Sequence, residues 1–194
     1  MHLSALRFSP LTLVLALFCC VSAPCSTPEL SSASQDSPTS REIIAYVFPQ
    51  DRVLSPGEIN ARRLTRINYA FANIKNGEVV EGFPHDAENF AILNTLKRNN
   101  PALKLLVSVG GWTWSGGFSD AALTPRSRER FISSAVRFIE RHKLDGLDID
   151  WEYPDQPGSG NTFRPQDKQN YTLLLAELRQ RFDREQTRLH RPLY

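Results

Sequence analysis

The alternation of apolar and polar positions changes period several times along this chain, and each change marks an element. Ile43 to Phe48 (IIAYVF) is a short β-rich run that Pro49 ends. Ser55-Pro56-Gly57-Glu58 follows, with serine at an N-cap, proline at the first helical position and glutamate three residues on. That capping box predicts a brief helix to about Leu64. Ile67 to Ala72 (INYAFA) predicts the second strand, with Asn76-Gly77 as a tight turn beyond it. Asp86 caps a predicted helix to about Arg98, with Phe90, Leu93 and Leu96 along one face and Asn100-Pro101 as its stop. Leu103 to Val109 (LKLLVSV) predicts the third strand. Thr124-Pro125 opens a helix in which Phe131, Ala135, Phe138 and Ile139 recur at helical spacing, closed by His142 and Lys143 where cations suit the dipole. Gly146 to Asp150 predicts the fourth strand. Pro165 to Asp167 then leads into a helix with the stripe Tyr171, Leu174, Leu175, Leu178 and Phe182. Arg191 to Tyr194 reads as the approach to a further strand.

Strand alternating with helix four times predicts an α/β fold with parallel strands. Two architectures satisfy that pattern, a doubly wound sheet and a (β/α)8 barrel. Eight units of this size would need about 300 residues, and roughly half that length follows residue 40. A barrel reading therefore assigns this chain the first four βα units, a partial TIM barrel.

The N-terminal 40 residues have a different character. Leu11 to Val21 (LTLVLALFCCV) is an apolar run of signal-peptide length, too short and poorly flanked for a spanning helix, and residues 1–25 are expected to be a signal peptide. Residues 26–40 are mostly Ser, Thr and Pro, which bury too little surface to offset their ordering entropy, and are expected to be a linker. The folded domain is placed at 41–194. Such a leader implies a secreted or cell-envelope protein; lipid attachment at a cysteine has weak support, because Phe18 and Pro24 are poor residues to precede a modified cysteine.

Composition narrows the function. Of 194 residues 41% are hydrophobic, enough for a packed core, and 23 Lys plus Arg against 21 Asp plus Glu leave a formal charge of +2. That balance argues against a nucleic-acid binder. Cys19, Cys20 and Cys25 all precede residue 26, so a mature chain starting there has no thiol for a disulfide framework, a zinc-thiolate site or a catalytic cysteine. No later apolar run approaches the ~20 residues needed to cross a bilayer. His85, His142 and His190 have no ligand-like spacing.

The fourth predicted strand decides the architecture. In Asp145-Gly146-Leu147-Asp148-Ile149-Asp150-Trp151-Glu152-Tyr153, alternation puts Asp148, Asp150 and Glu152 on one face and Leu147, Ile149 and Trp151 on the other. Buried carboxylates cost several kcal/mol each unless paired or protonated, and like charges this close raise at least one pKa. A doubly wound sheet covers both faces with helices and leaves no room for such a row, whereas a barrel collects functional groups at the C-terminal ends of its strands. A hard-metal site lacks accessory ligands here, and the glycine spacing is wrong for a calcium loop. An aspartate-nucleophile phosphotransferase does not usually continue its Asp-x-Asp into Trp-Glu. Glycoside cleavage, which needs one protonated carboxyl, fits: Glu152 lies nearest the mouth, with Asp150 expected to raise its pKa.

The Asp-x-x-Asp-x-Asp-x-Glu pattern at 145, 148, 150 and 152 resembles the signature of family 18 glycoside hydrolases, the chitinase family. Ser108-Val109-Gly110-Gly111-Trp112 resembles the family's second signature, and Tyr46 and Phe71 on the first two predicted strands match in order and spacing. The resemblance covers about residues 42–194 and implies catalysis assisted by the substrate itself, an exception to the two-carboxylate scheme. It implies Glu152 as proton donor, Asp150 holding the sugar's acetamido nitrogen, and Asp148 sharing a proton with Asp150. Tyr46, Phe71, Gly111, Trp112 and Tyr153 are implied as substrate-binding, with ordinary core packing the other reading for Tyr46 and Phe71. Ser108, Gly110 and Asp145 are implied as structural. The expected partner is chitin or its N-acetylglucosamine oligosaccharides, with no cofactor and no metal. A glycan-binding protein without turnover and an endo-β-N-acetylglucosaminidase are the alternatives.

Overall fold

A computed structural model describes residues 41–194, so the expected signal peptide and linker lie outside the described residues. Five strands form the sheet: β1 (Ile44–Val47), β2 (Arg66–Lys75), β3 (Glu78–Val80), β4 (Lys104–Gly110) and β5 (Gly146–Asp150). Four of them run parallel in the order β1-β2-β4-β5, and β3 hangs antiparallel on the far end of β2. The helices are α1 (Asp86–Thr95), α2 (Phe118–Leu123), α3 (Pro125–Arg141) and α4 (Asp167–Leu189).

The parallel register sorts the strand side chains into two sets. Ile67 and Tyr69 of β2, Leu105, Val107 and Val109 of β4 and Leu147 and Ile149 of β5 join one hydrophobic cluster with Phe90 and Leu93 of α1, Phe131, Phe138 and Ile139 of α3, and Leu174, Leu178 and Phe182 of α4. All the long helices therefore cover one face of the sheet. The other set (Tyr46, Asn68, Ala70, Leu106, Ser108, Gly110, Asp148 and Asp150) has no helix over it. One covered and one uncovered face is the arrangement of a barrel wall, and the sheet is part of a TIM barrel. Tyr194 already lies along the free edge of β5, donating its N–H to the Asp145 carbonyl (3.0 Å) and accepting from the Leu147 N–H (2.9 Å).

Several elements depart from expectation for local reasons. Only half of the capping box at Ser55 forms: the Glu58 carboxylate accepts the Ser55 N–H at 3.1 Å, but the Glu58 N–H goes to the Ser55 carbonyl rather than its hydroxyl, and no α-helix follows. Gly57 sits at φ +81°, outside the right-handed helical region, and only a 3-10 turn at Ala61–Arg63 forms. Arg52 grips the same carboxylate, which is thereby held down at about 2, Arg52 hydrogen bonding being the largest cause. Asn76 (φ 53°) and Gly77 (φ 76°) turn the chain as predicted, yet the turn closes a full hairpin with β3. Helix α2, too short to show a period, was not foreseen. Asp86 does not cap its own helix: its carboxylate accepts the N–H groups of Gly82 (2.7 Å) and Phe83 (3.0 Å) in the preceding turn and the Tyr69 hydroxyl (2.6 Å). In the predicted stripe of α4, Leu175 is instead 42% exposed.

Candidate active site

The ladder between β4 and β5 fixes the acidic row. Ser108 stands opposite Asp148 and Gly110 opposite Asp150, so both carboxylates rise from the uncovered face toward the C-terminal ends of the strands. Glu152 follows two residues beyond, just past the last ladder pair. All three are half-buried, and among the described residues none is paired with a cation. Trp151 between them turns the other way, 6% exposed and stacked on Phe118 at 5.2 Å.

Each carboxylate meets a different environment. Asp148 Oδ2 accepts from Ser108 Oγ (2.7 Å) and from the Tyr46 hydroxyl (3.0 Å). Asp150 receives no such help: burial first, then the charges of Glu152 and Asp148, push its carboxyl above the ordinary 3.8. Tyr46 is pushed up by burial and, more weakly, by its bond to Asp148, while a hydrogen bond from Asn68 opposes the shift. Tyr153 is pushed up by hydrogen bonding to Glu152 and by that carboxylate's charge.

Glycines make the close approach at the strand ends possible. Gly110 has φ +106°, and a Cβ there would lie 2.3 Å from the Asp150 carbonyl oxygen. Gly111, at φ +81°, donates its N–H to that same oxygen at 2.8 Å and lies against the face of Phe71. Phe71 reaches this position by a route that simple alternation does not provide. The β2–β4 register slips between Ala70 and Ala72, so Phe71 is the extra residue of a bulge. Its ring meets Phe48 edge-on at 5.5 Å. Phe71, Phe48, Phe83, Trp112 and Trp114 line a cleft of about 360 Å³ at the strand ends.

Beside the acid stand two solvent-facing aromatics, Trp112 (53% exposed) and Tyr153 (43%), with rings edge-to-face at 6.2 Å. Flat apolar faces left open to water suit a neutral ligand with apolar faces of its own, as a pyranose ring has. Tyr46 is also exposed among the described residues, at 58%. Asp145 lies apart from the row: it accepts the Leu105 N–H at 2.7 Å and pairs with Lys97 at 2.7 Å. Among the described residues no three His, Cys, Asp or Glu side chains converge to hold a metal ion.

The structure also assigns contacts to residues that spacing did not single out. Asn68 is buried on the uncovered face beneath Tyr46. Ser115 and Asn161 each bridge to the Glu152 main chain across 37 and 9 residues of sequence. A serine and an asparagine inside glycine-containing loops carry no periodic signal, so only the folded chain shows what they touch.

A barrel wall with an acidic row at its mouth and aromatic platforms beside it defines the glycoside-hydrolase class of α/β barrel. The sequence profile of glycosyl hydrolases family 18 matches residues 38–193, and the chain belongs to that family. It is 37% identical to Chitinase A1 of Niallia circulans over 205 aligned residues, covering 79% of this chain and 29% of that protein. Chitinase ChiW of Paenibacillus sp. str. FPU-7, a cell-surface-expressed multi-modular enzyme, superposes with a TM-score of 0.71 at 38% identity over 79% of this chain and 20% of its own. Human YKL-39, a pseudo-chitinase with retained chitooligosaccharide binding, superposes at TM-score 0.61 and 29% identity over 76% of this chain and 40% of its own. The chain spans less than a third of the length of the curated relatives it matches.

Proposed function

We propose that this chain supplies the N-terminal, catalytic half of a barrel that hydrolyses β-1,4-linked N-acetylglucosamine polymers with retention of anomeric configuration. The observation that carries the reading is the unpaired row Asp148, Asp150 and Glu152 on one face, opening beside Trp112 and Tyr153. In this reading Glu152 protonates the glycosidic oxygen as the bond to the leaving sugar breaks. The substrate's own 2-acetamido carbonyl attacks the anomeric carbon, and the resulting oxazolinium ion is opened by water. Asp150 accepts a hydrogen bond from the acetamido nitrogen and offsets its developing positive charge. Ser108 and Tyr46 donate to Asp148, whereas burial and its acidic neighbours favour a proton on Asp150, which it gives up as the acetamido group arrives. The raised pKa of Asp150 supports that order. Trp112 and Tyr153 would stack the sugar, and a secreted or cell-envelope location would place the site where such polymers occur.

The test uses the intact protein and N-acetylglucosamine oligomers. New reducing ends of retained configuration are expected, and Glu152→Gln is expected to bind the oligomers while losing about 10²–10⁴-fold in rate. Full activity in that variant overturns the assignment of the acid. Binding without new reducing ends in the unaltered protein would instead make this a glycan-binding protein.

A further inference from the structure

We infer that Ser115 and Asn161 act as positioning residues that clamp the main chain of Glu152 from both sides and so fix the acid relative to Asp150 and Trp112. The inference rests on the hydrolase reading above for its functional meaning, though its geometry does not.

The need for such a clamp follows from where β5 ends. Its last ladder partner is Gly110, opposite Asp150, so two residues later the Glu152 backbone has no neighbouring strand to bond to. Ser115 supplies the missing partner. Its side chain is fully buried, its Oγ accepts the Glu152 N–H at 2.8 Å, and it lies 2.8 Å from the Gly111 carbonyl and 3.0 Å from the Asp150 carbonyl, to which its one proton can be given. A single hydroxyl thus joins the strand end that carries Asp150 to the residue that carries the acid.

Asn161 closes the other side. Its Nδ2 donates to the Trp112 carbonyl at 2.8 Å and to the Glu152 carbonyl at 3.3 Å. Both approaches run over glycine: a Cβ on Gly158 would lie 2.6 Å from the Glu152 oxygen, and one on Gly116 would lie 3.1 Å from Asn161 Oδ1. The loop bearing Asn161 is itself anchored. Asp167, buried at the start of α4, accepts from the Arg164 N–H (2.7 Å) and from Ser119 Oγ, while Arg164 pairs with Asp120 at 2.6 Å. The β4 and β5 loops are therefore tied to each other at Glu152. The aromatic platform and the acid move as one body rather than as two loops.

Two substitutions in the intact protein test this. Ser115→Ala removes the acceptor for the Glu152 N–H, and Asn161→Leu keeps the branched shape of the side chain but removes its donor without adding a charge. Each is expected to lower kcat on N-acetylglucosamine oligomers by about tenfold to a hundredfold, as small displacements of a catalytic group do, with KM changing much less. The double variant is expected to lose less than the product of the two, because both bonds hold one residue. A second readout needs no turnover: the ¹³C-carboxyl titration of Asp150, assigned with Asp150→Asn, is expected to move down toward an ordinary aspartate as Glu152 drifts away. Unchanged kcat and an unchanged Asp150 titration overturn the clamp. A fall in kcat matched by a fall in thermal midpoint, with Asp150 unmoved, also overturns it in favour of a merely structural role. Should Ser115→Ala fail to fold, Asn161→Leu alone decides. If the unaltered protein turns over no oligomer but the variants still shift Asp150, the clamp stands and the hydrolase reading falls.

Discussion

Asp150 carries the sharpest conflict between stability and function. Its pKa is raised, so the folded protein prefers it protonated, and folding is unpenalised below the ordinary value of 3.8. As pH rises from there through the raised value, the folded state must hold a charge that the unfolded chain holds in water, and stability falls. Asp150→Asn removes that cost. It is expected to raise the thermal midpoint at pH 7, to make no difference below about pH 3.8, and to depress turnover at every pH; calorimetry and an oligomer assay across pH check all three. Gly110 poses a steric question of the same scale. Alanine there combines a positive φ with a carbonyl oxygen 2.3 Å away, and a loss of about 2–4 kcal/mol is expected in denaturant unfolding. The chemical identity of these residues was legible from the order of the letters, since Asp-x-Asp-x-Glu on a strand must share a face. That Asp150 has a raised pKa was not, because that depends first on how deeply the folded chain buries it and then on the charges of Glu152 and Asp148 beside it.

At the level of elements, strong periodicity proved sufficient and local capping did not. Helix α3 begins where Thr124-Pro125 placed it, with Thr124 Oγ1 accepting the Ser127 N–H at 3.1 Å and the Ser127 hydroxyl accepting in return from the Thr124 N–H. The Ser55 box offers the same residue types, yet Gly57 takes a left-handed conformation there, only the Glu58 half of the box forms, and the helix is lost. Asp86 illustrates the same limit. Its carboxylate is spent on the turn between β3 and α1, where it satisfies two backbone donors and the Tyr69 hydroxyl, which Asn89 Nδ2 also approaches at 3.2 Å. Removing it strands those donors in the interior. Asp86→Ala is expected to cost about 3 kcal/mol by chemical denaturation, and Tyr69→Phe only about 1 kcal/mol, because the carboxylate keeps its two amides in the second case. The bulge at Phe71 belongs here as well: a strand read by strict alternation sends that ring to the helix side, and only the slipped pairing with β4 turns it toward the mouth.

At the scale of the whole sheet, all the long helices among the described residues lie on one face, and the other keeps Tyr46, Ile44 and Phe48 exposed beside the acidic row. Sheet edges and apolar side chains left open in this way favour association. A protein consisting of residues 41–194 alone is expected to show concentration-dependent light scattering and binding of a hydrophobic dye, both lower in the intact protein. The parallel α/β order, the acidic row and its aromatic company were settled by local pattern, because strand and helix periods and side-chain alternation are properties of consecutive residues. Tertiary structure alone decided how deeply Asp150 is buried, how Phe71 enters the mouth, and that Ser115 and Asn161 hold Glu152. Each of these depends on a pairing between residues distant along the chain or beyond the end of a strand, where no periodic rule links one position to its neighbour.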